Sequence, residues 1–329
     1  MFRSLRKLQD LEPSVADFRD EVIEGLTSVP KTLPCKFFYD TEGSILFDRI
    51  CEVPAYYLTR TECAILARHA PDIAEFAGPG ARLVEFGSGA GIKVRRLLNA
   101  LSDPSAYVPI DISRTHLLRA AEALAEDFPN LPIMPVCADY TRSFTIPWQQ
   151  NKKAGRLVGF FPGSTIGNFM PSEMQDFFRR SARLLGPGSL MIVGVDLPKD
   201  KNILEAAYDD REGATAAFNL NLLRRANREL YMNFNVSAFK HEAQWNAAAS
   251  RVEMYLVSLV RQSVKLNGYR FDFLPGEKIH TENSYKYTIS DFIRLVKAAG
   301  YEKIAAWTDE DDLFSVHVLR VTDSDRPMK

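Results

Sequence analysis

The chain has 329 residues, of which 46% are hydrophobic and 25% are charged, and its formal net charge is -1 from 41 basic and 42 acidic residues. This composition predicts a packed globular core. The balanced charge argues against a general nucleic-acid or membrane-surface partner, because neither sign dominates. The length is enough for one large or two ordinary domains.

Neither the first residues nor the cysteines suggest export or a metal site. The segment from Met1 to Lys7 is basic but reaches Asp10 and Glu12 before any apolar run, so we expect no signal peptide. No segment approaches transmembrane length. The four cysteines lack Cys-x-x-Cys spacing and the five histidines are isolated from one another. We therefore expect reduced thiols rather than a disulfide framework, no bound metal, and a cytoplasmic protein.

Two aromatic clusters follow a predicted helix at residues 14–27. They span 36–47 and 54–62, and Thr59 in the second is predicted to cap a helix over about 60–69. Tyrosine at such junctions suits either a core or a pocket wall, because its hydroxyl sits beside an apolar ring. Both interpretations stay open for four aromatic residues, Tyr39, Phe47, Tyr56 and Tyr57.

Residues 82–196 alternate predicted strands and helices. The strands lie at 82–86, 106–110, 133–137, 157–161 and 190–195, and the helices near 92–101, 114–127 and 172–185. This alternation predicts an α/β fold with a doubly wound parallel sheet. A helix at 288–299 and strands at 303–308 and 313–320 then predict a terminal antiparallel hairpin that completes the sheet.

The first of these strands runs into Gly87-Ser88-Gly89-Ala90-Gly91. A strand that ends in Gly-x-Gly before a helix is a nucleotide cradle, because glycine lets the backbone approach a ligand and the helix N-terminus favours negative charge. The dinucleotide form of the motif has a third glycine where this chain has Ile92. Glu85 before the first glycine and the terminal hairpin favour S-adenosylmethionine (SAM) over NAD. An NAD oxidoreductase remains the alternative.

Acidic residues also stand at the ends of the next two strands. Asp111 lies where a doubly wound fold binds ribose hydroxyls, although it can equally cap a helix. Asp139 and Tyr140 suit adenine, since the carboxylate accepts the amino group and the ring packs on the base. Because ligands bind at the carboxyl ends of such strands, Glu85, Asp111 and Asp139 together predict one nucleotide site.

The fourth strand leads into Gly163-Ser164-Thr165-Ile166-Gly167-Asn168. In methyltransferases with this kind of sheet, residues at this position face the reactive methyl group. Two glycines permit close backbone approach, and Asn168 offers both a donor and an acceptor. An ordinary glycine turn with an asparagine cap is the alternative.

After Asp196 the alternation ends, and an insertion is predicted over about 199–286. It contains two helices within 199–230 and β-type runs at 251–261, 262–265 and 269–273. We predict a SAM-binding domain from 61–196 and 287–329, and an α+β substrate-binding domain from 1–60 and 197–286.

The end of this insertion contains a paired carboxylate and hydroxyl. Glu282 and Ser284 would face the same way on an extended chain, where they can bind a ring N–H. An exposed loop acid is the alternative for Glu282.

Six blocks of the sequence resemble the SAM-dependent histidine Nα-methyltransferases of ergothioneine biosynthesis, and the resemblance extends from about residue 20 to the end of the sequence. The blocks are Lys36-Phe37-Phe38-Tyr39-Asp40 with Gly43-Ser44 and Leu46-Phe47, Tyr56-Tyr57 with Thr59-Arg60-Thr61-Glu62, Glu85-Phe86-Gly87-Ser88-Gly89, Gly163 to Asn168, Ala207-Tyr208-Asp209-Asp210, and Thr281-Glu282 with Ser284.

The resemblance implies a class I SAM-methyltransferase fold with a second substrate domain. It implies transfer of three methyl groups from SAM to the α-amino group of L-histidine, which gives hercynine. A SAM-dependent N-methyltransferase of another free amino acid or small amine is the main alternative, and a non-catalytic SAM-binding module is another. We expect a monomer that binds a small-molecule substrate and SAM, with no metal, nucleic acid or membrane partner.

The resemblance also implies roles for individual residues. The substrate carboxylate would be bound by Asn168 and Tyr208, and the imidazole by Tyr56, Glu282, Ser284 and Met254. The catalytic residues near the α-amine would be Tyr39, the Gly163 backbone and Phe47. SAM would be bound by Gly87, Lys93, Asp111, Asp139 and Tyr140.

Overall fold

The computed structural model of the protein describes residues 4–11, 15–89, 91–146 and 155–323. The chain divides into two compact units, each assembled from separate stretches of sequence. The first unit contains residues 1–12, 58–198 and 286–329, and the second contains 13–57 and 199–285.

The elements of the described residues are as follows in chain order: β1 (Gln9–Leu11), α1 (Val15–Thr27), β2 (Lys31–Thr32), α2 (Thr41–Glu52), α3 (Tyr57–Ala77), β3 (Arg82–Phe86), α4 (Ile92–Ala100), β4 (Ala106–Asp111), α5 (Arg114–Asp127), β5 (Val136–Ala138), β6 (Leu157–Phe161), α6 (Pro171–Leu185), β7 (Leu190–Asp196), α7 (Lys201–Tyr208), α8 (Ala214–Leu230), β8 (Phe239–Asn246), β9 (Arg251–Ser258), β10 (Gln262–Leu266), β11 (Tyr269–Phe273), β12 (Lys278–Tyr285), α9 (Ile289–Lys297), β13 (Tyr301–Thr308) and β14 (Phe314–Val321). Within these residues, none of the helices combines the length and the apolar character that crossing a membrane requires.

The first unit is built on an eight-stranded sheet with the order β1-β5-β4-β3-β6-β7-β14-β13. The strands from β1 to β7 in this order are parallel, whereas β14 is antiparallel to both β7 and β13. The apolar strands β3, β6 and β7 are almost wholly buried, as parallel strands covered on both faces are. The sheet confirms the predicted doubly wound arrangement with a terminal antiparallel hairpin, which is that of class I SAM-dependent methyltransferases.

The direction of winding changes between β3 and β6. Strands β4 and β5 lie on one side of β3, and β6 and β7 lie on the other. The loops that follow β3 and β6 therefore open at the topological switch point, where ligands bind in such sheets. These two loops are the glycine loop that begins at Gly87 and the segment from Gly163 to Asn168.

The chain before residue 12 differs from the prediction. Strand β1 pairs in parallel with β5, so these residues belong to the large sheet and not with the segment 197–286. The third predicted strand, at 133–137, is also displaced, because Pro135 has no N–H for the ladder. Ile133 makes only isolated bridges, and the strand proper begins at Val136.

The start of α3 also differs from the prediction. The turn at Pro54 and Ala55 leads almost directly into a helix that begins at Tyr57. Thr59 therefore lies inside the first turn of α3, and its predicted role as a helix cap is wrong.

The second unit contains a four-stranded sheet with the order β2-β12-β9-β8 and a separate β10-β11 hairpin. Helices α7 and α8 pack against β8 and β9, and α2 packs against α8. Strand β8 was not predicted from the sequence. Its alternation is weak because His241 and Ala243, together with Trp245, replace large aliphatic residues on one face.

Candidate active site

The glycine loop after β3 has the backbone of a nucleotide cradle. Gly87 and Gly89 have φ angles of 79° and 45°, a region that glycine adopts without strain. The Gly87 N–H donates to the Ile110 carbonyl at 2.8 Å, which holds the loop against the end of β4. A Cβ placed on Gly89 would have no atom within 4 Å, so the backbone there is open to a ligand.

Asp111 ends β4 beside this loop. One of its carboxylate oxygens accepts the N–H of Ser113 at 2.8 Å, and Ser113 is the N-cap residue of α5. Burial raises the pKa of Asp111 even though backbone N–H groups oppose the shift. Hydroxyl donors of a ribose would offset that desolvation, so the residue fits the adenosyl group of SAM.

Asp139 and Tyr140 follow β5, at the next strand end. Asp139 accepts hydrogen bonds from the N–H and the hydroxyl of Thr141, the first at 2.9 Å. The Tyr140 ring packs edge-on against Phe161, with centroids 5.7 Å apart. A Cβ on Gly87 would lie 3.9 Å from this ring, so the structure brings Tyr140 and the glycine loop together.

Glu85, the third strand-end acid, already has an internal partner. The Tyr107 hydroxyl donates to its carboxyl group, and both side chains are buried. Burial raises the pKa of Glu85 to about 8, and the hydrogen bond from Tyr107 and the charge of Lys93 only partly oppose this. The residue therefore supports the end of β3 from within as a protonated carboxyl group at neutral pH.

The loop after β6 has a strained backbone. Gly163 has a φ angle of 81°, and Ser164 has one of 57°, which is uncommon for a residue with a side chain. The Ser164 hydroxyl accepts the N–H of Asp196 at 3.0 Å, which ties the loop to the end of β7. Such strain persists only where surrounding contacts impose it, and it is concentrated at functional sites.

A buried carboxylate that the sequence analysis did not select supports the same loop. Glu62 on α3 accepts the Gly163 N–H at 2.8 Å and lies 2.6 Å from the Lys93 ammonium group. Lys93, a predicted SAM residue, is in the first turn of α4 directly after the glycine loop. One acid therefore connects three segments of the first unit. The only sequence signal for it is its place in the Thr-Arg-Thr-Glu block.

In the second unit, two predicted catalytic residues and two predicted substrate-binding residues form one aromatic cluster. The ring centroids are 5.6 Å apart for Tyr39 and Phe47, 6.3 Å for Phe47 and Tyr56, and 6.2 Å for Tyr56 and Tyr208. Phe218 of α8 joins them, 5.6 Å from Tyr39 and 5.9 Å from Phe47. Phe218 was not predicted, because its helical spacing is that of any core residue.

Polar groups adjoin this cluster. The hydroxyls of Tyr208 and Ser284 are 2.7 Å apart. Glu282 and Ser284 lie on β12, with Glu282 opposite Met254 of β9, and they share a face because they are two residues apart. Glu282 is only 7% exposed, so the alternative of an exposed loop acid is wrong.

Tyr56 lies near this carboxylate and is itself buried. Burial raises the pKa of Tyr56 well above its usual range, and neighbouring groups that include Tyr208 and Glu282 add to the shift. The phenol therefore stays protonated at neutral pH. It can donate a hydrogen bond to a ligand in this region.

His241 of β8 supports Tyr208. Its Nδ1 accepts from the Asn219 amide at 2.8 Å, so its Nε2 carries the proton and donates to the Tyr208 carbonyl at 2.8 Å. Burial lowers the pKa of His241, which agrees with a neutral ring. Sequence reasoning did not select His241, because it has no neighbouring histidine or motif.

Asp40 holds the segment that contains Tyr39. Its side chain caps α2 through the Gly43 N–H at 2.7 Å and accepts from the Asn221 amide at 2.8 Å. It also forms an ion pair with Arg228. The Lys-Phe-Phe-Tyr-Asp block thus places Tyr39 through the contacts of its last residue with α8.

The predicted residues are divided between the two units. The first unit contains the predicted SAM residues with Gly163 and Asn168, the latter in a short 3-10 turn, Thr165–Asn168. The second unit contains the remaining predicted substrate and catalytic residues. Within the described residues, no group of three or more His, Cys, Asp or Glu side chains is arranged to hold a metal ion.

Known proteins are similar to this chain over most of its length. Residues 18–321 match the family described as "Histidine-specific methyltransferase, SAM-dependent". The chain is 38% identical over 315 residues to a "Histidine N-alpha-methyltransferase" of Mycolicibacterium smegmatis, which covers 94% of this chain and 96% of that protein. It is 41% identical over 298 residues to the Mycobacterium tuberculosis protein of the same name, covering 89% of this chain and 91% of that protein.

A fungal protein is also similar to most of this chain. "Ergothioneine biosynthesis protein 1" of Neurospora crassa is 30% identical over 311 residues, which cover 88% of this chain and 33% of that much longer protein. The matched region contains both the glycine loop at the switch point of the sheet and the polar cluster around Glu282. Sheet topology and sequence similarity lead to the same assignment, and the chain belongs to the family of SAM-dependent, histidine-specific methyltransferases.

Proposed function

We propose that the protein transfers three methyl groups from SAM to the α-amino group of L-histidine and releases hercynine, a precursor of ergothioneine. The observation that carries this proposal is the buried carboxylate of Glu282 with the Tyr208 and Ser284 hydroxyls nearby in the second unit. The names of the mycobacterial relatives support the same substrate, and that of the fungal relative supports the same pathway.

A neutral imidazole ring requires one hydrogen-bond acceptor and one donor. Glu282 supplies an acceptor for the ring N–H, and a carboxylate bond of this kind is stronger than one between neutral groups. Tyr56 supplies a donor, since its raised pKa keeps the phenol protonated. Ser284 supplies a second hydroxyl, and Met254 supplies an apolar surface for the ring. This combination selects an imidazole over a purely apolar side chain.

The remaining groups of the substrate have separate partners. Asn168 and Tyr208 bind the α-carboxylate, Asn168 through its amide N–H and Tyr208 through its hydroxyl. Tyr39, Phe47 and the Gly163 backbone surround the α-amine. Each transfer converts the neutral amine into a cation, and aromatic faces stabilise that positive charge by about 0.5–2 kcal/mol.

SAM supplies a methyl group that is already activated by the sulfonium charge. The α-amine must therefore be neutral and aligned, because the new C–N bond forms as the C–S bond breaks in line with it. The α-amino group of a peptide has a pKa of about 7.7–8.0. In a free amino acid the neighbouring carboxylate raises that pKa, so the bound amine must lose a proton before it reacts. The Tyr39 hydroxyl orients the amine and passes its proton towards solvent.

The first unit binds SAM. Asp111 accepts from the ribose hydroxyls, Asp139 and Tyr140 bind the adenine, and Gly87 and Lys93 hold the methionyl part. The free cysteines support a cytoplasmic enzyme. We propose that it works as a monomer and without a metal ion.

Mass spectrometry of the product tests the substrate directly. The protein is incubated with SAM and histidine in the presence of EDTA, and a trimethylated histidine is expected. A panel of other free amino acids is assayed in parallel. Equal turnover of several of them, or no methylated histidine, would contradict the proposal.

Glu282→Ala tests the imidazole assignment. Loss of a charge-assisted hydrogen bond of about 1.5–3 kcal/mol raises the KM for histidine by about 10- to 150-fold, with an unchanged Kd for SAM. Glu282→Gln keeps a hydrogen-bond acceptor, so its KM for histidine should rise less. Glu310→Ala, with a side chain that is 91% exposed, is the control. Unchanged histidine kinetics in Glu282→Ala would show that the assignment is wrong.

A further inference from the structure

The first unit contains a buried ion pair that the proposed function leaves unexplained. The Glu62 side chain is fully buried, the Lys93 side chain is 16% exposed, and the two charged groups are 2.6 Å apart. Removing two charges from water costs free energy that their attraction often fails to recover, so such a pair is weak support for stability alone. Its position in the unit suggests another role.

The pair lies at the switch point of the sheet. The Glu62 oxygen that contacts Lys93 also accepts the Gly163 N–H at 2.8 Å. A Cβ placed on Gly163 would lie 3.4 Å from the Lys93 ammonium nitrogen. Since Lys93 itself follows the glycine loop, its ammonium group stands where both ligand-binding loops open.

A lone ammonium group at this place would discriminate against the cosubstrate. SAM carries a positive sulfonium, whereas the spent product, S-adenosylhomocysteine, has a neutral sulfur in the same position. An unbalanced cation nearby would repel the first and leave the second unaffected. The affinity for S-adenosylhomocysteine would then rise relative to the affinity for SAM.

We propose that Glu62 is a positioning residue with two roles. It neutralises Lys93, so that the site binds the sulfonium of SAM, and it fixes the backbone of Gly163. This inference rests on the proposed function, because it takes SAM to bind at this edge of the sheet. It makes the affinity for SAM relative to its product depend on a carboxylate that is too deeply buried for direct contact with solvent.

The neighbouring buried acids cannot replace Glu62. Glu85 is bonded to Tyr107, and its pKa of about 8 leaves it protonated at neutral pH. Asp196 is 2.6 Å from the ammonium of Lys286, and both of these side chains are fully buried. Glu85 is therefore neutral, and the charge of Asp196 is already balanced by Lys286.

The carboxylate is also held in place by packing. The second Glu62 oxygen has no hydrogen-bond partner and lies against Gly194 of β7, where an added Cβ would be only 2.0 Å away. Glutamine has almost the same shape, so Glu62→Gln removes the charge and retains an acceptor for the Gly163 N–H.

The test compares the affinities of SAM and S-adenosylhomocysteine by calorimetry in four proteins. These are the wild type, Glu62→Gln, Lys93→Met and the double variant, each checked for folding by thermal unfolding. In Glu62→Gln the ratio of SAM affinity to product affinity falls by about tenfold. In Lys93→Met the ratio rises, because the carboxylate is now unbalanced. The double variant returns to the wild-type ratio.

The two ligands share their carboxylate and adenosine, so damage to the fold or loss of a methionyl contact lowers both affinities together and leaves the ratio unchanged. A constant ratio in Glu62→Gln and Lys93→Met would overturn the inference. If Glu62→Gln fails to fold, Lys93→Met and the double variant still decide it. If the wild type methylates histidine and the variants keep its affinity ratio, this inference alone is refuted. Failure of the wild type to bind SAM or to methylate histidine refutes the proposed function.

Discussion

Folding changes the protonation state of the Glu85 carboxyl group at neutral pH. In an unfolded chain its carboxyl group ionises at its ordinary pKa of 4.5, but burial raises that value to about 8 in the folded protein. The Tyr107 hydroxyl, which donates to it, and the charge of Lys93 both favour the ionised form without overcoming burial. The end of β3 therefore contains a neutral acid at pH 7.

This pKa shift predicts how stability depends on pH. Between pH 4.5 and about 8 the folded state keeps a proton that the unfolded state has lost, so the free energy of unfolding falls as pH rises and levels off above pH 8. The contribution is about 1.4 kcal/mol per pH unit at most. Glu85→Gln has no such group, and its stability relative to wild type should increase by a few kcal/mol from pH 5 to pH 8.

Urea unfolding at several pH values measures this difference. Glu302→Gln, which replaces a half-exposed carboxylate of β13 in the same unit, is the control and should follow the wild type. Parallel stability curves for wild type and Glu85→Gln would show that Glu85 ionises normally in the folded protein.

Single residues were predictable where a strand end or a motif marked them. Asp111 and Asp139 stand at consecutive strand ends, so the topology of a doubly wound sheet is enough to bring them together. Glu62 and Gly163 are 101 residues apart in sequence, and no local pattern connects them. His241 was missed for the same reason, since its partners Asn219 and Tyr208 are supplied by other elements.

At the scale of elements, one carboxylate adds polar contacts between α2 and α8 to the packing of Phe47 on Phe218. Asp40 caps α2 through Gly43 and also binds Asn221 and Arg228 on α8. Tyr39 is its direct neighbour in sequence, so the orientation of the two helices determines where the Tyr39 ring lies.

Asp40→Ala should therefore affect both stability and turnover. Loss of a helix cap costs about 0.5–2 kcal/mol, and loss of the remaining contacts brings the expected decrease in unfolding free energy to about 2–4 kcal/mol. The kcat for histidine should fall while the Kd for SAM stays the same. Denaturant unfolding and steady-state kinetics measure the two effects.

Asp20→Ala is the matched control for this change. Asp20 pairs only with its neighbour Arg19 in the described contacts, and its side chain is 66% exposed. We expect its removal to change stability by less than about 0.5 kcal/mol. If Asp40→Ala behaved in the same way, Asp40 would have no part in holding the Tyr39 segment.

Element types were easier to predict than their limits. Strands β3 and β6 have continuous apolar runs, which a buried parallel strand requires. In β8 the face opposite the polar residues carries His241 and Ala243 in place of large aliphatic residues, so the periodic signal is weak. The start of α3 depends on the turn at Pro54, which propensity alone does not define.

At the scale of the whole molecule, neither unit is continuous in sequence. The large sheet takes its last two strands from residues after 286, and its first from residues before 12. The predicted insertion after Asp196 followed from the change from alternating strands and helices to consecutive strands. The membership of β1 could not be predicted, because a three-residue strand has too few positions to show a pattern.

This organisation predicts where SAM stabilises the protein. A ligand that binds only the folded state adds about 2.7 kcal/mol at a concentration 100 times its Kd. The amides of β3 and β4, which flank the glycine loop, should therefore exchange with deuterium about 100-fold more slowly when SAM is present at that level, provided that their exchange requires opening of the sheet. Asp111→Ala should lose most of this protection, because it removes the proposed ribose contact at the end of β4. Glu302→Ala removes a carboxylate from β13 of the same sheet and should keep the protection intact. Equal protection in Asp111→Ala and wild type at the same SAM concentration would mean that the adenosyl group is not held at the end of β4.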